Sequence, residues 1–183
     1  LIKHKVNYLL IPKIDEIYRN KKKMKIKLKK NDKILCAKHR PGHFEGVLAI
    51  INQFLKNMKP KFIFLGEKDY QQVFLIKKFI KRKFNTKVVM CKTIRLNNTL
   101  ALSSRNFLLS KKNLQKATLI TKYVRNFYLL IKKNFNNKNK INEIRKNIES
   151  KKIKIDYFEI RNKNNFSNII NKNNFKIFIA YYI

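Results

Sequence analysis

The apolar positions fall into short blocks whose spacing names the elements. Val6 to Ile11 is a mostly apolar run closed by Pro12 and predicts a short buried strand, and Ile14 to Tyr18 fits one helical turn. "KMKIKLKK" alternates, with Met24, Ile26 and Leu28 on one side, as in a half-exposed strand. "HFEGVLAIINQFLKNMK" puts Val47, Ile50, Ile51, Phe54, Leu55 and Met58 at helical spacing, and Pro60 ends that helix. "FIFLG" is a continuous apolar run, as expected of a strand buried on both faces. "DYQQVFLIKKFIKRKF" predicts a second helix with Asp69 as its cap, and "TKVVMCKTI" another strand. Helix, strand, helix, strand in that order argues for βαβ units and a parallel sheet.

Beyond "RLNNTLALSSRN" the texture changes. Ser110 to about Lys133 reads as one long amphipathic helix, capped by Ser110, with Leu114, Ala117, Ile120 and Val124 on one face. "KKNFNNKNK" is polar and low in complexity and is expected to be a flexible loop. A short helix over Ile141 to Ile148 and two strands, "IDYFEIRN" and "FKIFIAYYI", close the chain. The fold class is therefore α/β: a partial Rossmann-like parallel sheet followed by a small α+β domain. A boundary near Leu96 divides residues 1–96 from 97–183.

Composition sharpens this outline. A length of 183 residues suits one domain or one and part of another, and 44% hydrophobic residues with 14 Phe and 8 Tyr are enough for a packed core. Lys and Arg number 45 against 10 Asp and Glu, a net charge of +35, which first suggests a nucleic-acid binder. The basic residues are spread along the whole chain rather than gathered in a stripe, and Lys, Asn and Ile dominate together. That pattern fits the drift of an A/T-rich genome better than a selected polyanion surface. Cys36 and Cys91 form no metal-spaced cluster and suit a reducing, cytoplasmic setting. No apolar run approaches the roughly 20 residues of a membrane helix. The first residues, "LIKHKVNYLLIPKIDEIY", lack the features of a signal peptide.

Against this background, three short stretches stand out. In "FLGEKDYQQ" one of only 3 glycines, Gly66, sits with Glu67 and Asp69 where a strand should end and a helix begin. Ligands of open α/β sheets bind outside the carboxyl ends of the strands. A glycine there lets a phosphate or adenine approach the backbone, the helix start favours an anion, and Lys68 adds a mobile positive charge. "RPGHFEG" holds the other two glycines, Gly42 and Gly46, and places Arg40 and His43 before a helix, where both can face an anion. His4 and His39 are expected to be solvated. In "LALSSRN" two hydroxyls and an arginine can grip phosphate oxygens through charge-assisted hydrogen bonds. Each stretch alone is also compatible with an ordinary turn.

Taken together, "RPGHFEGV", "KPKFIFLGEKDYQQ" and "LALSSRN", in this order and spacing, resemble the pantothenate synthetase (pantoate–β-alanine ligase) family. "VNYLLIPKIDEIY" resembles the segment that this family carries just upstream. The likeness runs from about Lys5 to Ser110 and more loosely over the last strands. It implies a nucleotidyltransferase-type Rossmann domain followed by a small lid domain, usually in a homodimer. It also implies ATP- and Mg2+-dependent ligation of (R)-pantoate to β-alanine through pantoyl adenylate, with no specific nucleic acid and no membrane as partner.

By the same resemblance Gly66, Glu67, Lys68 and Asp69 contact ATP, Lys68 stabilises phosphate charge, and Asp69 is the one candidate contact to Mg2+. Ile94 lines the adenine pocket through its backbone. Leu102, Ser103, Ser104 and Arg105 form a second phosphate clamp, Gln72 binds pantoate, and Arg40 and His43 border the pantoate and phosphate pocket. The family's N-terminal part also carries an HxGH-type motif and a further pantoate-binding glutamine, and neither occurs in this chain. Residues 1–96 therefore read as the C-terminal part of the Rossmann-like domain. For the 183 residues alone we expect weak ATP binding and no ligation, and with a preceding segment that supplies these motifs we expect an active enzyme. The competing expectation is a cationic nucleic-acid-binding or other non-catalytic module on a decayed nucleotidyltransferase scaffold. A related ligase acting on another acid is a further alternative.

Overall fold

The computed structural model describes residues 2–17, 26–81, 83–97 and 99–183. It divides into two compact units, Leu1–Cys91 and Lys92–Ile183.

The first unit opens with residues 6–11 in an irregular, exposed path rather than the expected buried strand. Tyr8 is 93% and Ile11 79% exposed. A strand needs a ladder, and no neighbour pairs with this segment among the described residues. Helix α1 (Ile14–Ile17) follows, its first turn tied by Glu16 Oε2, which accepts from the backbone N–H of Lys13 at 2.7 Å. The predicted strand around Met24 lies partly outside the described residues. Ile26 and Leu28 do point inward alternately with Lys27, but they pack on the helices without joining a sheet.

Helix α2 (Cys36–His39) leads to α3 (His43–Met58). Gly42 precedes α3 at φ 79°, a left-handed conformation that favours glycine, and this backbone demand accounts for one of the three glycines. At the far end Lys59 is left-handed too, its N–H bonding Leu55 O at 3.1 Å, and Pro60 then bars continuation. Strand β1 (Phe62–Gly66), a turn of 3-10 helix over Glu67–Asp69, α4 (Tyr70–Ile80) and β2 (Lys87–Cys91) complete a βαβ unit. Strands β1 and β2 pair in parallel, Phe62 opposite Lys87 and Gly66 opposite Cys91, which bears out the expected parallel sheet.

The core of this unit is Leu48 and Leu55 of α3 with Ile76 and Ile80 of α4, on which Ile63, Leu65 and Val88 of the strands pack. Two expectations fail here. Strand β1 is not buried on both faces: Phe62 is 50% and Phe64 66% exposed, because the helices cover only the side carrying Ile63 and Leu65. The inward stripe of α3 is also rotated from the one anticipated. Phe44, Leu48, Ala49, Asn52 and Leu55 are buried, whereas Ile50 and Met58 are exposed. The run "VLAIINQFL" is apolar around most of its circumference, so periodicity alone leaves the rotational phase open.

In the second unit Ser110 caps α5 (Lys111–Lys133) as expected, its Oγ accepting from the N–H of Asn113 at 3.2 Å. The segment expected to be a flexible loop is instead a 3-10 helix over Phe135–Lys140. Asn134 Oδ1 caps it at 3.0 Å, and Phe135 anchors it by packing 6.0 Å from the ring of Phe175. Helix α6 (Ile141–Glu149) then leads into the antiparallel pair β3 (Lys154–Asn162) and β4 (Phe175–Tyr182). Ile120, Phe127 and Ile131 of α5, Ile148 of α6, and Phe158 and Phe175 of the strands form one core, with Phe127 and Phe158 rings 5.9 Å apart. No helix of the described residues is long and apolar enough to cross a membrane.

Candidate functional site

Gly66 is the last residue of β1, so the turn Glu67–Asp69 stands at the carboxyl end of the parallel pair. Its backbone is extended, φ −72° and ψ 132°, a conformation open to any residue, and a Cβ built there would meet nothing within 4 Å. The fold itself therefore does not require this glycine. Cys91 is level with Gly66 at the end of β2 and is exposed, a rim position that sequence reasoning had not assigned. Lys68 and Asp69 are exposed, Glu67 is half-buried, and Gln72 is half-buried in the first turn of α4. Asp69 occupies the cap position of α4 but makes no side-chain hydrogen bond to that helix, so the expected capping role is corrected.

The "RPGHFEG" stretch comes to the same place. Phe44, at the start of α3, packs in one cluster with Ala37 and with Leu75 of α4. His43 feels both neighbours electrostatically. Burial and, next, the positive charge of Arg40 lower its pKa below the ordinary 6.5, while Asp69 partly offsets them. Three predicted residues, Arg40, His43 and Asp69, thus share one electrostatic environment within the first unit. Beside them Tyr70 has its phenol pKa raised by burial and by the negative charge of Glu67.

What holds the loop in position was not foreseen. Gln71, 6% exposed, grips the segment that leads to Arg40. Its Nε2 donates to Ile34 O at 2.7 Å and Asp32 O at 3.3 Å, and its Oε1 accepts from Ala37 N–H at 3.4 Å. Seven residues along α4, on the same face, Lys78 Nζ donates to both carboxylate oxygens of the buried Asp32 at 2.7 Å. Between the gripped groups Leu35 is held at φ 49° and ψ −130°, a positive φ unusual for leucine. One signal was available: an acid, Asp32, inside the Lys- and Asn-rich "KKNDK". Nothing in the doublet "QQ" distinguishes Gln71 from Gln72.

The "LALSSRN" residues belong to the second unit. Arg95 and Ala101 form an antiparallel bridge, Leu102 N–H donates to Ile94 O at 2.9 Å, and Asn106 Nδ2 donates to Ala101 O at 3.0 Å. Ser103 Oγ accepts from Arg105 N–H at 3.3 Å and opens a 3-10 turn over Ser104–Leu108. Ser103 is half-buried, while Ile94, Leu102, Ser104 and Arg105 are exposed on this structured loop. Among the described residues no group of three His, Cys, Asp or Glu stands close enough to hold a metal ion unaided.

Comparison with known proteins gives consistent results. A family model described as pantoate-beta-alanine ligase matches residues 1–183. Pantothenate synthetase from Leptospira interrogans is 38% identical over 162 residues, covering 86% of this chain and 57% of the relative. Among solved structures, pantothenate synthetase from Thermus thermophilus matches with a TM-score of 0.82 at 23% identity, over 92% of this chain and 62% of that one. Pantoate-beta-alanine ligase from Francisella tularensis, complexed with beta-gamma ATP and beta-alanine, matches with a TM-score of 0.73 at 34% identity, over 92% and 57%. The chain spans 57% and 64% of the length of the first two curated relatives it matches.

Proposed function

This chain belongs to the pantoate–β-alanine ligase family, and from that premise we propose that it carries ATP- and pantoate-contacting loops of an enzyme joining (R)-pantoate to β-alanine. The observation that supports this most directly is the Gly66–Asp69 turn at the strand ends, with open space against a glycine that the fold does not demand and with Arg40 and His43 beside it.

In this reading the carboxylate of pantoate attacks the α-phosphorus of ATP and pyrophosphate leaves. The amine of β-alanine then attacks the acyl carbon of the adenylate, and AMP departs. No covalent bond to the protein is needed, so the residues act by positioning and by stabilising charge. Gly66 admits the nucleotide to the backbone, Glu67 and Asp69 border it, and Lys68 neutralises charge developing on the phosphates. Gln72 holds pantoate, with Arg40 and His43 lining the pocket. His43, its pKa lowered, is neutral at physiological pH and offers a hydrogen bond without adding a second full charge to that of Arg40.

From the second unit, Ile94, Leu102, Ser103, Ser104 and Arg105 are assigned to the nucleotide as well. Mg2+ commonly binds through one or two carboxylates plus substrate phosphates, and Asp69 is the carboxylate that would join it. The reading extends to a homodimer working in the cytoplasm.

The test is Lys68→Ala. Lys68 is exposed, so thermal stability should not change. ATP titration of the 183-residue chain, followed by amide chemical shifts, should move residues 66–69 in the parent, and the variant should lose this response. In a protein competent for turnover, pantoate-dependent exchange of pyrophosphate into ATP should be abolished by the same change. ATP shifts that leave residues 66–69 untouched, or exchange that survives Lys68→Ala, would overturn the assignment.

A further inference from the structure

The first unit has a concave site at the end of its strands opposite Gly66. Strand β1 starts at Phe62 and ends at Gly66, so at roughly 3.3 Å per residue the two ends are about 13 Å apart. At the starting end lies a cavity of about 710 Å3, rimmed by Lys56, Lys59, Lys61 and Lys83, with Leu55 and Phe84 as its apolar lining. In a chain this rich in lysine, four lysines together are not remarkable on their own, and three observations single this place out.

The first is shape: the hollow is open to solvent on one side, and its volume is in the range of small-ligand sites. The second is charge balance. No acidic residue lines the cavity, and none of the four ammonium groups has a carboxylate partner among the described residues. Lys83 Nζ also lies over the Phe79 ring, 4.6 Å from its centroid, so the positive charge here is balanced by no carboxylate and is shared only in part with an aromatic face.

The third is Asn52, which lines the same cavity. It sits on the buried stripe of α3, 2% exposed, and its Nδ2 has no hydrogen-bond partner. A leucine would pack there without leaving a polar group unsatisfied, and an unmet buried donor is destabilising. The neighbouring Thr86, also buried, shows the usual arrangement: its hydroxyl donates to Pro60 O at 2.7 Å.

We propose that this cavity binds a small di- or triphosphate group, held by the four lysines and by a hydrogen bond from Asn52. Ammonium groups around a concave site suit a compact anion of two or more charges, and an amide N–H2 completes the coordination of a phosphate oxygen. The proposal does not depend on the ligase reading, because the nucleotide site of that reading lies at the other strand ends.

Titrations of the full chain with inorganic pyrophosphate and, separately, with ADP, followed by backbone amide shifts, test it. Saturable shifts at Asn85 and Thr86 are expected, independent of any response at residues 66–69. Equal affinities for the two probes assign the site to free polyphosphate, and tighter ADP binding assigns it to an organic diphosphate that uses Leu55 and Phe84. The double change Lys59→Gln, Lys83→Gln should weaken binding at least about tenfold. The charge-matched control Lys111→Gln, Lys112→Gln, on the exposed start of α5, should weaken it less than about twofold. Asn52→Leu should weaken binding and at the same time raise Tm, which a purely structural asparagine would not do. Non-saturating shifts, equal losses in both double variants, or an Asn52→Leu protein with lower Tm and unchanged binding would each overturn the proposal.

Discussion

Replacing Gln71 by leucine asks whether the loop bearing Arg40 and His43 is positioned by α4. The side chain is buried and makes one short hydrogen bond, to Ile34 O at 2.7 Å, and two longer ones, to Asp32 O at 3.3 Å and from Ala37 N–H at 3.4 Å. Leucine fills similar space but removes all three bonds; Ala37 N–H and Ile34 O keep each other as partners at 3.0 Å, so Asp32 O is the group left without one, at about 1–3 kcal/mol where water cannot reach it. Asp32 is buried, so one such penalty applies, in total about 2 kcal/mol.

In addition, Leu35 at φ 49° lies between the gripped groups, in a conformation that persists only where its surroundings enforce it. Once released, residues 32–37 should relax. For a unit of this size the loss corresponds to a fall in Tm of about 8–16 °C. Gln72→Leu, one residue along and half-buried, should change stability by only about 0.5 kcal/mol. Urea denaturation of the two variants side by side measures both. Equal effects of the two changes, or a loss below about 1 kcal/mol for Gln71→Leu, would refute the reasoning that the first glutamine is structural.

Two further outcomes follow from the same coordinates. The imidazole of His43, followed by NMR, should titrate below 6.5; Arg40→Gln should move it upward and Asp69→Asn further down, since these charges act with opposite sign. Because the native pKa is the lower one, the unfolded chain takes up the proton first as the pH falls. The contribution of His43 to stability is therefore present above about pH 6.5 and is lost as the pH drops through the depressed native value. Ser110→Ala should remove about 1 kcal/mol from the stability of the second unit, read by urea denaturation, because the first turn of α5 loses its cap.

The local elements and the family were legible in the amino-acid sequence because their causes are local. Pro60 and the helical spacing define α3, Ser110 the start of α5, and "FIFLG" followed by "DYQQ" the strand-to-helix turn at which Gly66 stands. The motifs "RPGHFEG", "FLGEKDYQQ" and "LALSSRN" carried the family resemblance because short loops with demanding chemistry keep a recognisable residue order.

Orientation and partnership were decided only in three dimensions. Periodicity predicted α3, but the packing of α4 and the strands set its rotation and brought Asn52 inward in place of Ile50. Composition made 132–140 look like a mobile linker, yet one aromatic, Phe135, found a distant ring at Phe175 and ordered it. Gln71 and Gln72 are chemically identical neighbours. Which of them is buried and holds the chain depends on carbonyl groups more than thirty residues away in sequence. Spacing along a chain specifies which residues share a face, but what that face meets is set by segments remote in sequence, and only the folded arrangement supplies them.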